Sequence, residues 1–243
     1  MVSEALIFRL FGILVGLGLG AFSFGLMKAT KGATKGWMLF SISGVAFFLW
    51  TSLMSLFSIL DMTTGRIITS ILFIPGTIIL VMSFAKLAED FRIHSFLSTR
   101  NVLIVNLLVI AFFAAVLIFL TGDILHSLMT AVLVDAVIAN IMALQITFSL
   151  WRSTGNKVWF ALLIFSLLFV IGQSSTLYAG NCCGGELSGS ATCLSYDLDY
   201  RNMFNMPCNT ALTSMSLIGY NLMTIGGLIL LGSFFYMYKK LAL

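Results

Sequence analysis

Asp135 is the residue whose chemistry stands out. It falls near the middle of a long apolar run, Leu125–Trp151. A carboxyl group in such a setting is costly unless it is protonated, paired or turned to a wet cavity. Carboxyls so placed carry protons or cations, anchor cationic ligands, or lock neighbouring helices by hydrogen bonding. Ala131 and Ala139 lie one turn to either side, so the face bearing Asp135 is small and packs closely. Asn140 and Gln145 extend the polar character of the same run. Arg9, inside the first apolar run, either snorkels to the nearer interface or turns inward to Asp135. Tyr220 and Asn221 stand at mid-depth in the last apolar run, and Pro75-Gly76 interrupts the third. Asp135, Arg9, Asn140, Tyr220 and Asn221 are therefore the expected intramembrane polar site, with Arg9 or Asn221 as partner to Asp135.

All four cysteines, Cys182, Cys183, Cys193 and Cys208, fall in one polar stretch at about 179–209. An even number of cysteines on an oxidising side points to disulfides. Neighbouring cysteines rarely bond each other, since that geometry is strained. The expected pairs are Cys182–Cys193 with Cys183–Cys208, or the reverse. A metal site would show C-x-x-C spacing or histidines, and the stretch has neither. The run Cys182-Cys183-Gly184 with Pro207-Cys208 is similar to the large loop of tetraspanins over those residues alone; tetraspanins have four helices, and no membership follows. Gly12, Gly16 and Gly20 form a doubled G-x-x-x-G, a spacing that lets helix backbones approach closely. It serves packing within the chain or between two copies.

The elements that must position these residues are membrane spans. The chain is 60% hydrophobic and 9% charged over 243 residues, whereas a soluble domain carries roughly 25% charge. A bilayer core takes about 20 apolar residues as helix. Seven runs qualify: Ala5–Met27, Trp37–Leu60, Ile67–Leu87, Val102–Leu120, Leu125–Trp151, Val158–Tyr178 and Thr210–Tyr238. Lipid satisfies no backbone polar group, so the runs are helices. Val102–Leu120 does not alternate as a barrel strand would. The expected fold is an all-α membrane protein, a seven-transmembrane-helix bundle over residues 1–243, with a disulfide-braced loop at about 179–209.

Ten basic residues (Lys28, Lys31, Lys35, Lys86, Arg92, Arg100, Arg152, Lys157, Lys239, Lys240) fall in alternate connections and the C-terminal tail, against Arg66 and Arg201 in the other set. This positive-inside bias predicts the N-terminus outside and the C-terminus in the cytoplasm, most simply of a plasma or cytoplasmic membrane. Lysines follow the first apolar run rather than precede it, so that run reads as a retained anchor rather than a leader. The net charge of +4 is spent on topology and anionic headgroups, and nucleic acid is not an expected partner. Trp37, Trp50, Trp151, Trp159, Tyr178, Tyr236 and Tyr238 lie toward run ends and read as interfacial belts.

Several seven-helix families fail on their own residues. A retinal protein needs a lysine inside the last span, and none precedes Lys239 there. A three-histidine zinc hydrolase needs more than His94 and His126. The last run lacks N-P-x-x-Y, and no Pro-Gln pair occurs. No triad, carboxylate pair or phosphate loop stands out. A non-enzymatic protein without catalytic residues, cofactor or metal is expected. It is either a ligand- or partner-binding, sensor-like module or a structural subunit of a membrane complex, using the cysteine-containing loop for recognition. Its neighbours would be lipid and other membrane subunits or further copies of itself. The alternative is a small transporter or channel with Asp135 as proton, cation or substrate site.

Overall fold

The computed structural model describes residues 4–60, 69, 73–93, 97–179 and 210–242. These residues form seven long helices: α1 Glu4–Ala29, α2 Lys35–Ile59, α3 Phe73–Asp90, α4 Thr99–Thr121, α5 Ile124–Thr154, α6 Lys157–Ala179 and α7 Thr210–Ala242. Six of them are long and apolar enough to cross a membrane. The described part of α3 is the shorter exception and carries Lys86, Glu89 and Asp90 in its last turns. The helices end where the sequence supplies left-handed residues. Gly122 (φ 71°) closes α4 by donating its N–H to the Ile118 carbonyl at 2.8 Å, and Gly155 (φ 63°) donates to Trp151 at 2.8 Å. A Cβ at either would be strained in that conformation.

Six helices pack as a closed ring in the order α1, α2, α3, α5, α6, α7 and back to α1. The seventh, α4, lies outside the ring against α3 and α5. Its composition explains the position. It is apolar on every side, buries only Val102, Asn106 and Ala114, and leaves Phe119 90% exposed. Such a helix suits contact with acyl chains. The ring closes through α1 and α7 running parallel: a Cβ on Gly227 would meet Val15 at 3.2 Å, and Phe22 meets Phe235 with ring centroids 5.4 Å apart. Consecutive helices run antiparallel, as shown by Ser41 to Gly20, Ser43 to Gly76 and Asn140 to Gln173. All ten basic residues therefore gather at one end of the bundle, the end where α1, α3, α5 and α7 finish.

Glycine sets the closest crossings. A Cβ on Gly16 would lie 2.6 Å from the Phe48 backbone nitrogen and 3.0 Å from the Gly44 carbonyl oxygen, so α1 and α2 touch backbone to backbone. Gly172 and Gly219 do the same between α6 and α7, each Cβ meeting the other's carbonyl oxygen at 2.8 and 2.7 Å. The glycine spacing of α1 thus serves contact within the chain.

The half of the ring nearer the basic end is filled by aromatic side chains. Phe40 packs edge-on against Phe84 and Phe234 with centroids 4.8 Å apart in both cases, and Trp37 stands edge-on to Phe234 at 5.8 Å. Edge-to-face pairs of this kind are favoured by the ring quadrupoles. Trp37 and Trp159 are buried core residues and not belt residues, whereas Tyr178 and Tyr236 are exposed. Both buried tryptophans sit on the ring side of their helices, a rotation that distance from a helix end does not reveal.

Candidate functional site

The opposite half of the ring, at the end bearing the N-terminus, holds a partly open cavity of about 170 Å³. All six ring helices contribute to its wall: Phe11 and Val15 from α1, Phe47 and Trp50 from α2, Phe73 from α3, Val132 and Ala136 from α5, Phe169 and Gln173 from α6, Tyr220 and Thr224 from α7. Leu19, Leu80, Phe165 and Leu230 belong both to this wall and to the aromatic core, and so form its floor. The Trp50 and Phe73 rings lie 4.8 Å apart, and Phe165 and Phe169 4.7 Å.

The wall is apolar in effect even where its side chains are not. The hydroxyls of Thr51, Thr176 and Thr224 donate to carbonyls of their own helices, at Phe47, Gln173 and Tyr220 (2.8, 3.0 and 2.9 Å). Back-bonding of this sort lets a hydroxyl sit in apolar surroundings. Gln173 accepts from Asn140 Nδ2 at 2.7 Å, tying α5 to α6 beside the cavity. Trp50 Nε1 is buried and has no hydrogen-bond partner among the described residues.

The sequence-predicted polar residues are only partly brought together. Tyr220 lines the cavity. Asn140 stands next to it through Gln173 and also donates to the Ala136 carbonyl. Asp135 is 2% exposed, and its Oδ1 finds no partner among the described residues. It is not a wall residue: Val132 and Ala136 are. Successive helical residues are about 100° apart, which puts Asp135 on the flank of α5 away from Asn140. Its neighbours one turn away, Ala131 and Ala139, are fully buried. Gln145 is exposed, so the polar run of α5 is not one strip. Asn221 is exposed on α7 and is not the buried partner of Asp135; Tyr220, one residue earlier, took the inward position. The Arg9 side chain lies outside the described residues, as do Cys182, Cys183, Cys193 and Cys208. Trp50 is not the interfacial belt residue expected from the sequence, and nothing in the sequence marks Thr51. Both stand more than two turns inside α2 and line the cavity, a rotation that one sequence does not reveal.

A second polar constellation sits at the basic end. Asp90 Oδ2 accepts from the Gly36 N–H at 3.1 Å, and Glu89 Oε1 accepts from the Thr99 N–H at 2.7 Å. Lys86 bridges both carboxylates at 3.0 and 3.3 Å. The last turn of α3 thereby caps the first turns of α2 and α4, where unpaired N–H groups and the helix dipole favour negative charge. Burial works to raise the Glu89 pKa, but the Thr99 N–H and the Lys86 ammonium outweigh it and hold Glu89 below its usual value.

Among the described residues no three His, Cys, Asp or Glu side chains gather to hold a metal ion. Comparison with known proteins finds no matching family model, no matching curated protein and no matching solved structure.

Proposed function

We propose that this chain is a seven-span membrane protein that works by binding rather than by catalysis or transport. In this reading α3, completed by residues before Phe73, is the seventh span. The positive-inside rule then puts the basic end in the cytoplasm and the N-terminus outside. The stretch at about 179–209 faces the oxidising side, braced by two disulfides, and meets a ligand or partner protein there. The bundle supports that stretch as a sensor-like module or as a subunit of a larger complex.

One observation carries the choice against transport: the aromatic core of Phe40, Phe84, Phe234 and Trp37 fills the ring below the cavity. Alternating access needs a wet site reachable from both sides, and Asp135, the buried carboxyl a carrier would use, is not on the cavity wall. The test is reconstitution of the full chain into vesicles containing a pH-sensitive or cation-sensitive dye. Proton and cation flux is expected to match that of empty vesicles, with Asp135→Asn no different from the parent. Flux that depends on Asp135 would replace this reading by the transporter.

A further inference from the structure

We propose that the central cavity is a binding site for a small, uncharged, apolar molecule of about one ring. The proposal rests on the binding reading above and gives it a ligand class.

Size comes first. A dry, apolar protein cavity of roughly 150 Å³ takes up benzene, and this one is about 170 Å³. The space is not general looseness of the bundle. Backbones touch at Gly16 against Phe48 and at Gly172 against Gly219, beside the cavity. A sequence that packs its helices this closely leaves a void between them at a cost in stability, and an occupant restores the missing contacts.

Chemistry narrows the class. The wall presents aromatic faces from Phe47, Phe73, Phe169 and Trp50. Among the described residues it includes no Lys, Arg, Asp or Glu, so these offer no counter-charge to an anion or a cation. Thr51, Thr176 and Thr224 have spent their hydroxyl hydrogens on backbone carbonyls. A sugar or other many-hydroxyl molecule would lose its hydration without replacement. Trp50 Nε1 has no partner among the described residues but is fully buried, so it presents no donor to the cavity either. The floor of Leu19, Leu80, Phe165 and Leu230 closes the site toward the basic end, so the occupant enters and leaves from the other end or between helices and does not pass through.

An apolar ring is found both in dissolved small molecules and as part of a membrane-resident lipid. The test separates the two. The full chain, purified in detergent, is titrated by calorimetry with ethylbenzene and with acetophenone, which matches it in size and adds a carbonyl. Saturable binding of both at one site is expected, acetophenone no tighter than ethylbenzene, because its carbonyl loses hydration without a partner. Ala136→Leu fills the cavity and should abolish both; Val132→Leu, a smaller filling, should weaken both if Ala136→Leu does not fold. Native mass spectrometry before titration identifies the source. A lipid-mass adduct displaced by acetophenone supports a membrane-resident ligand, and a bare chain that binds acetophenone supports a dissolved one. Linear uptake without saturation, or binding indifferent to both filling variants, overturns the site. Vesicle flux speaks only to the binding reading, so a chain without flux and without saturable binding loses this site and keeps that reading.

Discussion

At the scale of the residue, Asp135 is the sharpest test of what an isolated intramembrane carboxyl does. Its burial was legible in the sequence, because a charge in mid-run must turn inward. Its surroundings were not, because one sequence does not reveal how α5 is rotated. The structure puts Asn140 toward α6 and Asp135 on the other flank, with Oδ1 unpartnered among the described residues. Exchange of a buried polar group without partners for an apolar one of similar size removes a desolvation cost. Asp135→Leu is therefore expected to raise stability by about 1–3 kcal/mol, and Asp135→Asn to change it by less than about 1 kcal/mol. Reversible unfolding in mixed micelles measures both. A loss of stability in Asp135→Leu would show that the carboxyl has a polar partner, with Arg9 the first to mutate. Tyr220 and Asn221 teach the same lesson from the opposite side. Adjacent in sequence and alike in polarity, they differ in that Tyr220 faces the cavity and Asn221 is exposed.

At the scale of the element, the glycines of α1 separate what spacing reveals from what it does not. Gly12, Gly16 and Gly20 share one face by their spacing of four, and the close crossing they permit is present. Which of them is indispensable depends on where α2 lies. At Gly16 a Cβ meets fixed backbone at 2.6 Å, whereas at Gly20 the nearest atom is the Ser41 carbonyl oxygen at 3.7 Å. Gly16→Ala should cost about 1–3 kcal/mol through overpacking. Gly20→Ala should be neutral or gain up to about 1 kcal/mol from reduced backbone freedom in the unfolded chain. Equal effects in the unfolding assay would mean that α1 and α2 do not cross at Gly16. The end of α3 supplies a second element-scale test. Glu89 has a folded pKa below its unfolded value, so its ion pair and cap stabilise fully above the unfolded pKa. That stability fades as pH falls below the ordinary glutamate value of 4.5 toward the lower folded one. Between about pH 6 and pH 3 the parent should lose thermal stability more steeply than Glu89→Gln. Asp90 is the less exposed of the two carboxylates, and Asp90→Ala should cost about 1 kcal/mol at neutral pH through the lost cap on α2. Parallel pH profiles for parent and Glu89→Gln would remove Glu89 from this role.

At the scale of the whole molecule, helix number and order followed from composition, because apolar runs of bilayer length have no other stable form. Ring order did not follow. That α4 stands outside while α3 and α5 meet depends on which helix buries a face, and α4, apolar all round, gives no period to read. The charge pattern carries the remaining whole-molecule statement. The structure gathers Lys28, Lys31, Lys35, Lys86, Arg92, Arg100, Arg152, Lys157, Lys239 and Lys240 at one end, the end that the proposed orientation puts in the cytoplasm. The cysteine stretch attaches at the other end, after α6 and before α7. One labelling experiment tests both sides together. If the cysteines are in disulfides on the outer side, as proposed, a membrane-impermeant maleimide should not label the native chain in intact cells and should label it after mild reduction. Ala33→Cys, exposed in the turn between α1 and α2, should react only once the membrane is opened, before or after reduction. Labelling of Ala33→Cys in sealed cells would invert the molecule. Labelling of the native chain without reduction would leave the orientation standing and remove the disulfides, and with them the roughly 2–4 kcal/mol that loop closure by a disulfide contributes.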